Sequence, residues 1–141
     1  MRRRTKEFAG LVIRLFLVLN KRREELRILG KQMIRSGTSV AANYREASGA
    51  RSNEEFTAKI DLCSQEVDET QLWLELLRDE CSIPSSITDP VWKEADELIS
   101  IFVTMSKKHQ AKISSLIDSG FRSQVSSFPT ALDPRLLPFA V

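Results

Sequence analysis

Apolar side chains recur along most of the chain at the alternating spacings of three and four residues that mark one face of an α-helix. The clearest run keeps this spacing for three heptads and consists of Phe56, Ile60, Cys63, Val67, Thr70, Leu74 and Leu77. Ser52 and Glu55 precede it as a capping box, in which each side chain satisfies a backbone N–H at the helix start. The pattern predicts a helix at about residues 53–80 with one face in the core.

A second run with the same period covers about residues 22–48. Its apolar face consists of Leu26, Leu29, Met33, Ser36, Val40, Asn43 and Ala47. From Ser36 onwards the side chains are mostly small, which lets a neighbouring backbone come close. We therefore predict a long helix whose second half is tightly packed, with a turn only at residues 48–51.

Two further helices are predicted at about residues 5–20 and 89–118. The first is apolar on almost every side, which predicts an element covered by several neighbours. The last starts with Asp89 as a cap and Pro90 at the first helical position. Its apolar face consists of Val91, Ala95, Leu98, Phe102 and Met105, followed by His109.

Four helices with short connections predict an all-α fold, an antiparallel up-down four-helix bundle over residues 1–120. Residues 121–141 contain three prolines and no helical period, so they are predicted to form a tail that is mobile or laid over the surface.

Charge is distributed unevenly along the chain. Residues 1–35 hold eleven Lys or Arg against three Asp or Glu, whereas residues 36–100 hold five against fourteen. A basic segment of this kind predicts binding to the nucleic-acid backbone. The candidate contacts are Arg2, Arg3, Arg4, Lys6, Lys21, Arg22, Arg23, Arg27 and Lys31. The alternative is that the basic segment keeps the protein soluble and neutralises the acidic middle of the chain.

Few residues suggest catalysis or metal binding. His109 is the only histidine, and a packed histidine is far commoner than a lone metal ligand. No nucleophile elbow or phosphate-binding loop occurs in the sequence, so we predict no enzymatic activity, no cofactor and no small-molecule substrate. Cys63 and Cys81 are 18 positions apart and form no CxxC pair, which indicates packed, reduced thiols.

The amino-terminal apolar run predicts a buried core helix and not an export signal or a membrane span. Arg14 interrupts the run, no cleavage site follows it, and it is too short to span a bilayer. We therefore expect a cytoplasmic protein with no membrane partner.

A polar line runs beside the apolar face of the second predicted helix and consists of Gln32, Arg35, Ser39, Asn43 and Glu46. If the chain reverses near residues 49 and 50, the numbers of facing residues add up to about 99, and Arg35 falls near Glu66. We therefore predict a charge-assisted pair between these two side chains. The line as a whole is either solvated helix surface or a buried or oligomer-facing network.

Together these residues resemble a known family. The match consists of Gln32, Arg35, Ser39, Val40, Asn43, Glu46, Arg51, Ser52, Glu55, Phe56, Glu69, Thr70, Trp73 and Leu74. Over roughly residues 8–118 the chain resembles the four-helix-bundle proteins encoded in intervening sequences of bacterial 23S ribosomal RNA genes. Ala41 and Ala47 stand where many members have Pro and Gly, and the tail after Gly120 has no counterpart in the family.

The resemblance implies a ring-shaped homo-oligomer, commonly a homopentamer, without enzymatic activity. It also implies kinship with the accessory variability determinant of diversity-generating retroelements, which binds a reverse transcriptase and nucleic acid. The candidate interface residues are Gln32, Arg35, Ser39, Asn43, Glu46, Arg51, Glu66, Glu69 and Trp73. Trp73 is either an anchor between subunits or a residue packed between helices.

Two hypotheses follow from the sequence. The first is an oligomeric accessory protein that binds RNA or DNA through its basic first third. The second is an adaptor that binds other proteins through its acidic and basic helix faces and does not bind nucleic acid.

Overall fold

The computed structural model describes the backbone of residues 1–124 and the side chains of residues 1–120. It contains four helices, α1 (Arg2–Val18), α2 (Glu24–Ser48), α3 (Asn53–Asp79) and α4 (Ser85–Gln124), and the described residues form no strand. The predicted all-α four-helix fold is therefore confirmed. The predicted tail beyond α4 lies outside the described residues.

Residues 1–110 form one compact unit, and residues 111–124 complete α4. Neighbouring helices in this unit run antiparallel. Along α2 and α3, Ser36 lies opposite Thr70, and Glu46, near the end of α2, lies opposite Lys59, near the start of α3. Leu74, Leu98 and the other fully buried side chains come from all four helices and form the core; the largest are Phe8, Phe102, Leu26, Met33, Ile60, Leu74, Leu77 and Leu98.

Small residues let α2 approach its neighbours closely, as the sequence predicts. A Cβ atom at Gly37 would lie 2.8 Å from both γ carbons of Val12, and one at Gly30 would lie 2.9 Å from Cδ2 of Phe16. On the side facing α3, the buried hydroxyls of Ser36 and Thr70 are 2.7 Å apart. The stretch from Ser36 to Ala47 is thus a packed helix and not a linker.

The predicted start of α4 was wrong by about one turn. The helix begins at Ser85, and the carbonyl of Pro84 accepts hydrogen bonds from the N–H groups of Ile87 and Thr88 at 3.0 and 3.3 Å. Pro90 therefore lies inside the helix, where its missing N–H would have faced the carbonyl of Ser86 in the first turn. Because Pro90 lies near the start of α4, the missing bond leaves the hydrogen bonds of the rest of the helix intact.

The prediction that several neighbours cover α1 holds for one side of the helix only. Phe8, Val12 and Leu15 are buried, but Leu17 and Val18 are 64% and 67% exposed. The reason is that the packing side of α1 faces α2 and α4, while its opposite side meets no other part of the described chain.

Candidate nucleic-acid interface

The nine basic candidates fall into two separate groups. Arg2, Arg3, Arg4 and Lys6 lie in the first turns of α1, and the other five lie between the end of α1 and the second turn of α2. Because α1 has 17 residues, its two ends are about 25 Å apart. The structure therefore does not bring all nine side chains to one site.

In the first group, Arg4 bridges α1 and α4. Its Nε donates to Glu94 Oε1 at 2.7 Å, and its Nη2 donates to Glu94 Oε2 at 3.2 Å and to Glu97. These hydrogen bonds, first to Glu94 and then to Glu97, raise the pKa of the Arg4 guanidinium above its usual value. Since two carboxylates already neutralise it, Arg4 is the weakest of the nine candidates for a phosphate contact.

The second group, which we call the connection cluster, consists of Lys21, Arg22, Arg23, Arg27 and Lys31. Glu24 and Glu25 are the only acidic residues in this stretch of chain, so five positive charges face two negative ones. The charge density of the connection cluster therefore favours an anionic ligand.

Some side chains of the connection cluster are held in place by neighbouring groups. Lys21 Nζ donates to the carbonyls of Leu17 and Leu19 at 3.3 and 3.4 Å and lies 4.8 Å from the centre of the Phe16 ring. Arg23 donates to the Cys81 carbonyl at 3.2 Å, which ties the cluster to the end of α3.

Carboxylates pair with two cations of the connection cluster. Arg23 donates to Glu25 at 2.7 Å, and Arg27 pairs with Glu24. The hydrogen bond from Arg27 lowers the pKa of Glu24, and the backbone N–H of Glu25, followed by Arg23, lowers that of Glu25. Both pairs are exposed, so a phosphate can compete for the guanidinium groups.

Arg22 and Lys31 are the cluster members whose side chains neither pair with a carboxylate nor are held by a carbonyl group among the described residues. Both are exposed, and neither forms an ion pair within the part of the chain that the structure describes. Arg14 is an exposed cation that was not among the predicted contacts, and its side chain folds over Gly10 on the outer side of α1. The signal was its position opposite the buried residues of the same helix.

The predicted pair between Arg35 and Glu66 is not formed. Because Ser36 faces Thr70 and Glu46 faces Lys59, the numbers of facing residues add up to 106 and 105 and not to about 99. Arg35 thus lies nearest the level of residues 70 and 71. The predicted ends of the two helices agree with the observed ones, so the error lies in how far α3 is shifted along α2 and not in the length of the connection.

Glu66 is instead a partly buried carboxylate without a hydrogen-bonded cation in the described part of the chain. Burial raises its pKa, the nearby charge of Glu69 raises it further, and Arg35 lowers it only through a longer-range attraction. Glu66 is therefore costly to ionise in the folded chain.

Every member of the polar line on α2 is half-exposed or exposed, so the line is not a network buried within one copy, and its contact with another copy stays a prediction. Arg35 and Glu46 are exposed, and Gln32, Ser39 and Asn43 are intermediate. Ser39 Oγ donates to the Arg35 carbonyl at 2.7 Å, and Glu46 forms an ion pair with Lys59.

The capping box at the start of α3 is confirmed for Ser52, whereas Glu55 reaches the N–H of Arg51, one residue before the cap. The Ser52 hydroxyl accepts from the Glu55 N–H at 3.0 Å, and the Glu55 carboxylate accepts from the Arg51 N–H at 2.9 Å. Further along α3, Trp73 is half-buried against the core, and its Nε1 donates to Glu69 at 3.2 Å. Trp73 therefore packs within its own chain, and its role between copies stays a prediction.

The remaining reactive side chains are packed. Burial raises the pKa of the Cys63 thiol to about 12, and its sulfur lies 3.7 Å from the Val40 carbonyl. The His109 ring lies 4.4 Å from that of Phe56, centre to centre, and its Nε2 is 3.2 Å from Asn53 Oδ1. Across the described residues, no group of three or more His, Cys, Asp or Glu is placed to hold a metal ion.

Comparison with known proteins decides the family. Residues 2–119 match the family of 23S rRNA-intervening sequence proteins. The chain belongs to this family. No curated protein sequence is similar enough to match it.

A solved relative supports the same conclusion for the fold. It is a protein of unknown function from the S23 ribosomal protein family of Bacteroides thetaiotaomicron, with 30% sequence identity and a TM-score of 0.70. The similarity covers 75% of this chain and 97% of the relative. None of the helices of this intervening-sequence protein is, over the described residues, long and apolar enough to cross a membrane.

Proposed function

We propose that this intervening-sequence protein is a non-catalytic nucleic-acid-binding protein and that it binds the phosphate backbone of RNA or DNA through the connection cluster. The observation that carries the proposal is the excess of positive charge there, with Arg22 and Lys31 exposed and free of ion pairs among the described residues. The match to a family named for 23S rRNA intervening sequences makes structured RNA the first ligand to test.

The chemistry of the cluster suits the backbone more than the bases. Lysine and arginine side chains on a helix start and a connection can contact successive phosphates, and such contacts carry no sequence information. The described surface around the cluster offers no row of exposed aromatic rings on which bases could stack. Binding should therefore be sensitive to salt and only weakly selective for sequence.

We further propose that the chain assembles into a homo-oligomeric ring, with a pentamer as the first expectation. Assembly would repeat the connection cluster on every subunit, and a long RNA could then contact several clusters at once. Such multivalent binding strengthens affinity without any new type of contact.

The test is a fluorescence-polarisation titration of a labelled, structured RNA at low and at physiological salt. The variant Arg22→Gln/Lys31→Gln removes two free charges from the cluster, and each lost phosphate contact should also reduce the slope of log affinity against log salt by about 0.7 to 0.9. Its matched control is Arg45→Gln/Lys93→Gln, which removes the same charge from exposed positions elsewhere.

We expect the cluster variant to bind at least ten times more weakly than the wild type and the control to bind like the wild type. Equal losses in both variants would show that only net charge matters. If the wild type binds no RNA or DNA at low salt, the proposal is wrong, and the protein-adaptor hypothesis takes its place.

A further inference from the structure

We propose that copies of this protein join through two different faces, with the outer face of α1 on one copy packed against the outer face of α3 on the next. This inference rests on the self-assembly proposed above and names the surfaces that carry it. Both faces lie outside the connection cluster, so assembly would leave the proposed RNA contacts open.

The outer face of α3 carries a second apolar seam. Its members follow one another at spacings of four and three residues on the side opposite the buried residues, and they are Ala58, Leu62, Gln65, Glu69, Leu72 and Leu76. Leu62 and Leu72 are 39% and 47% exposed, and Leu76 is half-buried. A helix with one buried and one exposed apolar seam is typical of an element that meets another helix on both sides.

The outer face of α1 has the same character. Ile13 and Leu17 stand one turn apart and are 38% and 64% exposed, with Gly10 one turn before Ile13. The Arg14 guanidinium lies over Gly10 and has to swing aside before a neighbouring helix can come close there. The α1 helix is about 25 Å long, and the α3 seam from Ala58 to Leu76 is about 27 Å long, so the two faces match in length.

The charges on the two outer faces favour contact between α1 of one copy and α3 of the next. The outer side of α1 carries four cations, Arg2, Arg3, Lys6 and Arg14, against the single acid Glu7. Asp61 and Asp68 flank the α3 seam, and Glu69 belongs to it. The faces therefore carry net charges of about +3 and −3, which attract each other, whereas α1 against α1 or α3 against α3 would repel.

The positions of the two helices determine the type of assembly. Both α1 and α3 pack against α2, and the Cα atoms of α1 and α3 do not approach within 8 Å of each other. The two outer faces thus point away from each other, and one copy cannot satisfy its own faces. Contacts between different faces generate a ring when the rotation closes and not a two-fold dimer.

The experiment measures mass in solution by light scattering coupled to gel filtration. Leu17→Asp places a charge in the α1 face, and Leu72→Asp places one in the α3 face; both positions are exposed, so each chain should still fold. Ile28→Asp is the matched control, because Ile28 is 49% exposed on α2 and belongs to neither face. Circular dichroism and thermal unfolding of all three variants verify the fold.

We expect Leu17→Asp and Leu72→Asp to be monomers by themselves and the Ile28→Asp control to have the wild-type mass. Mixed in equal amounts, the two monomers should form a dimer and nothing larger, because together they retain one intact face of each kind. Full assembly by either variant alone would show that the substituted face takes no part in the contact and would overturn the inference.

The remaining outcomes separate this inference from the self-assembly proposal. A wild-type protein that stays monomeric over a wide concentration range overturns both. A wild-type oligomer whose mass neither substitution changes leaves self-assembly standing and overturns only the α1 to α3 contact.

Discussion

The two sides of α3 contain similar residues and have different surroundings. On the inner side, Leu74 is fully buried, and on the outer side, Leu72 is 47% exposed although it is only two positions away. Both belong to runs with the same alternation of three and four residues. The comparison teaches that periodicity reveals which faces are apolar, whereas only the packing of the chain reveals which of them the same molecule covers.

The largest expected effect comes from truncating one leucine on each side of α3, because only the inner leucine is buried. In a Leu17→Asp background, which we expect to be monomeric, Leu74→Ala should lower the free energy of unfolding by about 2–5 kcal/mol, because it leaves a cavity in the core. Leu72→Ala should change it by less than about 0.5 kcal/mol, as surface substitutions do. Urea denaturation measures both, and similar losses would contradict the assignment of an inner and an outer side.

The polar pair in the inner seam should have the next largest effect. Ser36 and Thr70 share a buried hydrogen bond of 2.7 Å, so Thr70→Val leaves the Ser36 hydroxyl without its interhelical partner. We expect a loss of about 1–3 kcal/mol for the single change. The double variant Ser36→Ala/Thr70→Val should recover part of it, since neither polar group then remains. A double-mutant cycle by urea denaturation measures the coupling, and strictly additive losses would exclude it.

The cap at the start of α3 supports both sides of the helix, and its contribution to stability can be measured. The Ser52 hydroxyl satisfies the Glu55 N–H, and Ser52→Ala should therefore cost about 1 kcal/mol. Ser48→Ala is the matched control, because the Ser48 hydroxyl bonds only to the Tyr44 carbonyl of its own helix. Thermal unfolding compares the two, and an equal loss from both would show that the cap contributes nothing specific.

Features that depend on residues close together in the sequence could be predicted, and features that depend on distant residues could not. Periodicity identified the buried seam of α3, and the Ser52 to Glu55 capping box is local, so both were found. The facing register of α2 and α3 depends on how the two helices pack, and a few residues of error there moved Arg35 away from Glu66. The spacing of residues within one helix does not determine how far that helix is shifted along its neighbour.

The candidate interface shows the same division. The excess of basic residues was visible in the sequence, but its separation into two groups and the commitment of Arg4 to Glu94 and Glu97 depend on the arrangement of helices. The outer seam of α3 was missed because Gln65 and Glu69 interrupt it. A search for a second run at spacings of four and three would have revealed it.

Glu66 lies between the inner and outer sides of α3. Substituting it should have the smallest effect on stability, and that effect should depend on pH. Burial raises its pKa above the ordinary glutamate value of 4.5, so the folded chain holds the proton more tightly than the unfolded chain does. Its contribution to stability is therefore fully present below the unfolded pKa and is lost as pH rises through the folded pKa. Glu66→Gln removes this dependence and should stabilise the protein at neutral pH, relative to the wild type, more than at low pH.

Urea denaturation of the wild type and of Glu66→Gln across the acidic range measures the difference. The control is Gln substituted for Glu54, an exposed carboxylate in the first turn of the same helix, where a negative charge favours the helix start. That control should be slightly destabilising at neutral pH, so the two variants should have effects of opposite sign. If Glu66→Gln also destabilises at neutral pH, the carboxylate must have a partner that favours its charge, and the neighbouring copy that we propose to lie against α3 would be the place to look for it.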